Sequence, residues 1–252
     1  MIAHHPSSGP PPPAAPAREG LRRGFLLLLC LLVAGCAAPG PRGGQSDAPT
    51  RGIERIALLP MVDMARVYGE GRSVRAPLTH KVFVTGQTAG ALADRMTAAV
   101  EAHLRGEGDY RVVSPGTVRG AMGPLLADRD RASDERSLMM AAARAVEAEA
   151  VLVGYIYRHE PRRGGRFAVD RPASLAYGLY LLARPDGRIV WAGEFDETQR
   201  PLNEDLLQIG TFLKRRGEWI TVEEMALESL AEILARFPSR SASGEGGTGA
   251  GN

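Results

Sequence analysis

The sequence predicts a single α/β domain, an α+β sandwich in which helices pack on a mixed sheet, with a late antiparallel hairpin and C-terminal helices. Three observations predict it. Short apolar strands alternate with helical periods between residues 55 and 157. Ala150–Tyr157 is apolar throughout, the pattern of a strand buried on both faces. Two β-type segments, 176–183 and 188–195, flank Arg184-Pro185-Asp186-Gly187, a strong turn signal.

The elements follow in order. Arg55-Ile56-Ala57-Leu58-Leu59-Pro60 reads as a short buried strand, and the Gly-rich stretch 61–87 holds an additional strand at Lys81–Thr85. An amphipathic helix is predicted over 88–105, with Leu92, Met96, Ala99, Val100 and His103 on one stripe. Tyr110-Arg111-Val112-Val113 is a second strand, stopped by Ser114-Pro115. A short helix over 116–126 precedes a longer one over 134–147, whose inward face is Leu138, Ala141, Ala142, Ala145 and Val146. In the hairpin, Ile189, Trp191, Gly193 and Phe195 alternate against Val190, Ala192 and Glu194. Two helices close the body. The first spans about 203–213; the second opens on Thr221-x-x-Glu224, a capping box, and runs through Met225, Leu230, Ile233 and Phe237 to Pro238.

Outside this body, 53–238, the chain is of a different kind. Arg22-Arg23 precede the apolar run Phe25–Val33 and the small residues Ala34-Gly35, the layout of an export signal. About nine apolar residues are too few for a transmembrane helix, which needs roughly 20. Val33-Ala34-Gly35-Cys36 resembles the lipobox of bacterial lipoproteins, with the cysteine at the position the motif requires. The resemblance implies cleavage after Gly35, diacylglycerol on the Cys36 thiol and acylation of its amine. Several acyl chains anchor where one holds only marginally. Ala37, in place of Asp, implies sorting to the outer membrane, so the chain is expected to be lipid-anchored there and to face the periplasm.

Residues 1–35 are therefore expected to be a signal peptide. The Pro-rich stretch 1–21 matches neither a signal nor a fold, and is most simply explained by a start codon placed too far upstream. From Cys36 to 52 the composition predicts a lipidated flexible tether. Its sixteen residues after Cys36 reach about 55 Å fully extended and roughly 20–24 Å on average. The Ser/Gly-rich tail 239–252 is expected to be disordered.

Composition limits the functions open to such a body. The net charge of +2 sits entirely in residues 1–35, leaving 28 basic and 28 acidic residues. A neutral body gives no electrostatic reason to bind nucleic acid. Cys30 leaves with the signal and Cys36 is consumed by lipid, so no disulfide supports the fold.

The strand 55–60, the helix 88–105 leading to Asp109–Ser114, Ala148–Tyr157 and the hairpin ending Gly187–Trp191 together resemble a shared α/β domain. It occurs in the N-terminal half of the TolB translocation protein, in curli-secretion lipoproteins and in penicillin-binding-protein activator lipoproteins. The resemblance covers about 55–195 and implies a non-enzymatic role: binding other cell-envelope proteins, or assembling as a homo-oligomer. The alternative it leaves is a subunit of an export or pore-type complex. Two departures matter. The activators need a long tether to reach their partners. Curli-type pores need added membrane hairpins with strands of about 9–11 alternating residues, and only 153–183 is a candidate, with poor alternation.

No constellation in the body spells out a reaction, so no catalytic residue, metal site or cofactor is expected. His103 lies on an apolar helix stripe and reads as a half-buried core residue, while His80 and His159 sit in or beside loops without a second ligand at zinc spacing. No Gly-x-Ser-x-Gly elbow or Walker loop is present. Glu194, Asp196 and Glu197 could suggest a carboxylate pair, but read as a solvated strand end. The loop bearing Arg158, Arg162, Arg163, Arg166 and Arg171 is either a solvated hairpin tip or a contact for lipid phosphates or an acidic partner. Arg162, Arg163 and Arg166 are the candidates for that contact.

Overall fold

The computed structural model describes residues 42–44, 50, 52–88, 90–127, 134–164, 169–199 and 221–240. All belong to the compact unit Pro39–Asn252. The lipobox, the expected helix at 203–213, Arg166 and the tail from 241 lie outside the described residues.

A seven-stranded mixed sheet organises the body. Its order is β1 (Arg42–Gly44), β11 (Arg188–Thr198), β10 (Ser174–Ala183), β7 (Ala150–Glu160), β2 (Arg55–Leu58) and β6 (Arg111–Val113), with β3 (Val62–Asp63) also paired to β7. The β2, β3 and β6 pairings are parallel, and β1, β10 and β11 pair antiparallel. This is the expected α/β class, with no closed barrel. Gly187 takes φ +68°, which glycine permits without a Cβ clash, and closes the β10–β11 turn.

Apolar alternation explains why β7 and β10 lie centrally. In β7, Leu152 and Ile156 enter one core, while Val151, Val153, Tyr155 and Tyr157 enter the other. In β10, Leu175, Tyr177, Leu179 and Leu181 face the first, and Ala176, Tyr180 and Leu182 the second. Each fully buried side chain of this size contributes roughly 1.5–3 kcal/mol. Of the segment 153–183 that a pore-type reading would push into lipid, the strand residues 153–157 and 174–183 are buried in these cores.

Helices α2 (Leu92–Glu107) and α5 (Val222–Leu234) cover the first face. The capping box of α5 is present: Glu224 N donates to Thr221 Oγ1 at 3.1 Å, and Thr221 N to Glu224 Oε2 at 2.8 Å. Just after α5, Phe237 lies edge-on between Trp191 and Tyr110, at 4.8 and 5.8 Å. Trp191 Nε1 donates to Arg236 O at 3.0 Å and Tyr110 Oη to Pro238 O at 2.8 Å. The end of the helix is thereby pinned to the sheet.

The second face carries α3 (Pro115–Ala127), α4 (Glu135–Ala145) and an excursion between β3 and α2. That excursion contains α1 (Met64–Tyr68) and a ribbon of β4 (Ser73–Arg75) and β5 (Val82–Val84), which contains the expected extra strand.

Several expectations are corrected. The helix expected from 88 begins at Leu92, because the Thr88 hydroxyl is engaged with the Asp63 carboxylate and 85–88 run without helical turns. Its stripe is Leu92, Met96, Val100 and Leu104, with His103 half-buried beside it. Helix α4 buries Met139, Met140, Ala142 and Ala143; of the expected face Ala142 is buried and Val146, just past the helix, packs half-buried against the core, whereas Ala145 is exposed and Leu138 and Ala141 are only half-buried. Arg136 Nη1 donates to Gly187 O at 2.6 Å and fixes that rotation, which puts the two thioethers in the core. Within the expected tether, Arg42–Gly44 adds an edge strand opposite Glu194–Ala192.

Candidate functional site

The residues singled out in the sequence converge on the end of the sheet where β7 finishes. A register shift governs this end. Ala176 pairs with Arg158 and Tyr177 with Ile156, so Tyr157 is an extra residue in β7. Such a bulge inverts the inward–outward alternation beyond it. Tyr157 and Arg158 consequently serve the second face, and His159 turns back to the first.

Arg158 therefore does not belong to a solvated tip. Its side chain is 13 % exposed, and its guanidinium donates to Ser174 Oγ at 2.6 Å, Val84 O at 3.0 Å and Asp196 Oδ1 at 2.7 Å. One cation thus ties together β7, β10, β11 and the ribbon. Asp196 is its counter-ion rather than a free strand-end acid. Glu194 is likewise engaged: it accepts from Tyr180 Oη at 2.6 Å and lies 3.3 Å from Lys81 Nζ. Lys81 rests 4.6 Å above the Phe83 ring, which stacks on Tyr157 at 4.0 Å. Tyr155 Oη donates to Glu135 Oε1 at 2.7 Å. Burial, with the adjacent Glu135 carboxylate, holds the Tyr155 phenol well above its ordinary range; burial does the same for Tyr180, with Tyr157 and Glu194 adding to it. These acids and phenols hold the second core together.

His159 is the residue that sequence reading misplaced most. It lies within β7, 2 % exposed, beneath α5 and α2. Its backbone N–H donates to Gln87 O at 2.8 Å, while neither ring nitrogen has a hydrogen-bond partner. Nε2 stands 3.7 Å from Glu223 Oε1, and Arg95 Nη2 is 4.0 Å from the same oxygen. Burial lowers the His159 pKa; Glu223 opposes this and Arg95 reinforces it. The unfolded chain therefore binds this proton more readily than the folded one. Stability is full above the ordinary value of 6.5 and falls as pH drops below it toward the lowered folded value. Urea midpoints measured between pH 7.5 and 5 should fall with pH, and His159→Leu should flatten that slope. An unchanged slope in the variant would assign the dependence elsewhere.

The remaining arginines are dispersed. Arg163 in β8 (Arg163–Gly164) pairs directly with Arg171 in β9 (Val169–Arg171), and both are exposed. Like charges directly opposite repel. No ion pair relieves Arg162, Arg163 or Arg171 among the described residues, although Arg162 Nη1 is itself buried and unpartnered. The signal for the missed features was present only indirectly, since a bulge at Tyr157 leaves no mark in an apolar run. His80 is exposed in the turn between β4 and β5. Among the described residues no group of three His, Cys, Asp or Glu side chains could hold a metal ion, and no helix is long and apolar enough to cross a membrane.

No protein-family model matches the chain, and no curated protein matches it. Solved structures do. The PelC dodecamer from Paraburkholderia phytofirmans is 15 % identical, over 77 % of this chain and 93 % of that one, with a TM-score of 0.40. The LpoB C-terminal domain from Salmonella enterica is 16 % identical, over 69 % and 94 %, at 0.36. The hypothetical protein CT253 from Chlamydia trachomatis is 13 % identical, over 73 % and 95 %, at 0.40. These are proteins the chain is similar to, and the fold assignment rests on its own strand order.

Proposed function

We propose that this chain is a lipid-anchored, non-enzymatic accessory protein of the bacterial outer membrane, facing the periplasm and binding other envelope components during envelope assembly or maintenance. The observation that carries the reading is Val33-Ala34-Gly35-Cys36 behind a basic, then apolar, segment. In this organisation 1–35 is the signal, the mature chain begins at lipidated Cys36, and the α/β domain 53–238 takes its edge strand from Arg42–Gly44 of the segment after the lipid. The engagement of His159, Glu194 and Asp196 in packing and ion pairs supports a binding rather than a catalytic body.

The arginine tip is the candidate contact for an acidic partner or for lipid phosphates: of Arg162, Arg163 and Arg166, the described Arg163 is exposed, while Arg162 is half-buried. Unrelieved repulsion between Arg163 and Arg171 supports this, because an anion would remove it.

Cys36→Ser tests the reading as a whole. The variant should lose all incorporation of radiolabelled fatty acid, and should move from the outer-membrane fraction to the soluble periplasm or stay unprocessed. A variant that remained lipidated and in the outer membrane would contradict the anchor.

A further inference from the structure

The described surface shows six exposed large apolar side chains, and four of them, Val67, Tyr68, Val82 and Val84, lie in the excursion between β3 and α2. They are drawn together by backbone bonds around Thr85. Gly71 N donates to Thr85 O at 2.8 Å, Thr85 Oγ1 to Gly69 O at 2.7 Å, and Thr85 N to Arg72 O at 2.8 Å. The residue after Tyr68 and the residue after Val84 are therefore in contact. The inward residues of the ribbon, Val74 and Phe83, are buried, so Val82 and Val84 point outward by strand alternation.

Three exposed arginines, Arg66, Arg72 and Arg75, accompany this apolar group, and none has an ion-pair partner among the described residues. Glu70 is the one exposed acid in 64–84. Val82, Val84 and Arg75 share the outer side of the ribbon by register, and with the exposed Arg66, Val67, Tyr68 and Arg72 of the same excursion they match the chemistry of an interfacial membrane contact, in which apolar groups enter the headgroup region and cations meet anionic lipid.

The path of the chain points the same way. Arg42 pairs with Glu194, Glu194 with Gly178 and Gly178 with Tyr155, while Gly44 stands at the level of Val153. Strand β1 therefore enters the sheet from the end at which β7 finishes. The Glu194 carboxylate at that entry touches Lys81, next to Val82. Only five residues lie between Cys36 and Arg42, so the covalent reach from one to the other is about 20 Å.

Resting on the lipid anchor proposed above, we propose that α1 and the β4–β5 ribbon form the face that the domain lays against an anionic lipid surface. Docking holds the body on the leaflet through the end of the sheet at which β7 finishes.

The test uses the mature, lipidated chain. After residue 35 its sole cysteine is Cys36, so a Val82→Cys thiol can be labelled alone with a polarity-sensitive fluorophore once Cys36 is acylated. The labelled chain is reconstituted in phosphatidylcholine vesicles containing phosphatidylglycerol and doxyl-labelled lipid. Its emission should shift to the blue and be quenched about twofold by the doxyl groups, as for a side chain at headgroup depth. A label at Leu227→Cys on α5, also exposed, should remain water-like. Combining Arg66→Ser, Arg72→Ser and Arg75→Ser should weaken docking on the order of a hundredfold, and high salt should act in the same direction. A water-like label at 82 on a chain that stays with the vesicles would overturn this inference and leave the anchor intact. Contact between pyrene labels on two chains, with no doxyl quenching, would overturn it in favour of a second copy. A chain that does not stay with the vesicles would overturn the anchor and this inference with it.

Discussion

Arg158→Ala should destabilise the folded protein by about 3 kcal/mol, as expected when a mostly buried cation that donates three hydrogen bonds is removed. The cost has two parts. Asp196 and the buried Ser174 hydroxyl lose a charged donor, and the Val84 carbonyl loses the bond that ties the ribbon to β7. Arg158→Lys should recover only part of the loss, because an ammonium cannot reach three acceptors in the fixed geometry of a guanidinium. Chemical denaturation of both variants checks this. Arg163→Ala, on the exposed ribbon, should change stability by less than about 0.5 kcal/mol. Equal effects at 158 and 163 would mean that Arg158 is a solvated tip residue after all.

Gly193→Ala should cost a similar amount, about 3 kcal/mol, for a steric reason. A Cβ at this position would stand 2.3 Å from Ile233 Cγ2 and 2.9 Å from the Trp191 ring. Neither neighbour can yield cheaply. Ile233 is fully buried on α5, and Trp191 is held by its bond to Arg236 O. The helix must therefore shift away from β11, with loss of apolar contact along Met225, Leu230 and Leu234. Adding Ile233→Ala should restore part of the stability of Gly193→Ala although it destabilises the parent protein, a sign reversal that a double-mutant cycle detects. Additive losses would show that the two residues do not meet.

The fold was largely legible because its strongest signals are periodic. The run Ala150–Tyr157, the turn Arg184–Gly187 and the capping box Thr221–Glu224 each announce an element through local chemistry, and each stands where expected. The rotation of α4 was not legible, since Leu138–Ala145 and Met139–Ala143 are equally good stripes until Arg136 is anchored on the β10–β11 turn. The candidate site was less legible still. One extra residue at Tyr157 reverses which face Arg158 and His159 serve, and converts two loop residues into buried parts of different cores. The acids after the hairpin looked solvated because their partners, Lys81 and Arg158, are far away in sequence. The cluster Val67, Tyr68, Val82 and Val84 escaped notice for the same reason, being assembled by the bonds of Thr85 across the excursion.

The N-terminal peptide of the protein recovered from bacterial membranes tests the central claim most directly. Its mass should correspond to a chain beginning at Cys36 and carrying a diacylglyceryl thioether and an amide-linked acyl group. A chain beginning at another residue, or a Cys36 with a free thiol, would contradict the anchor on which the functional account rests.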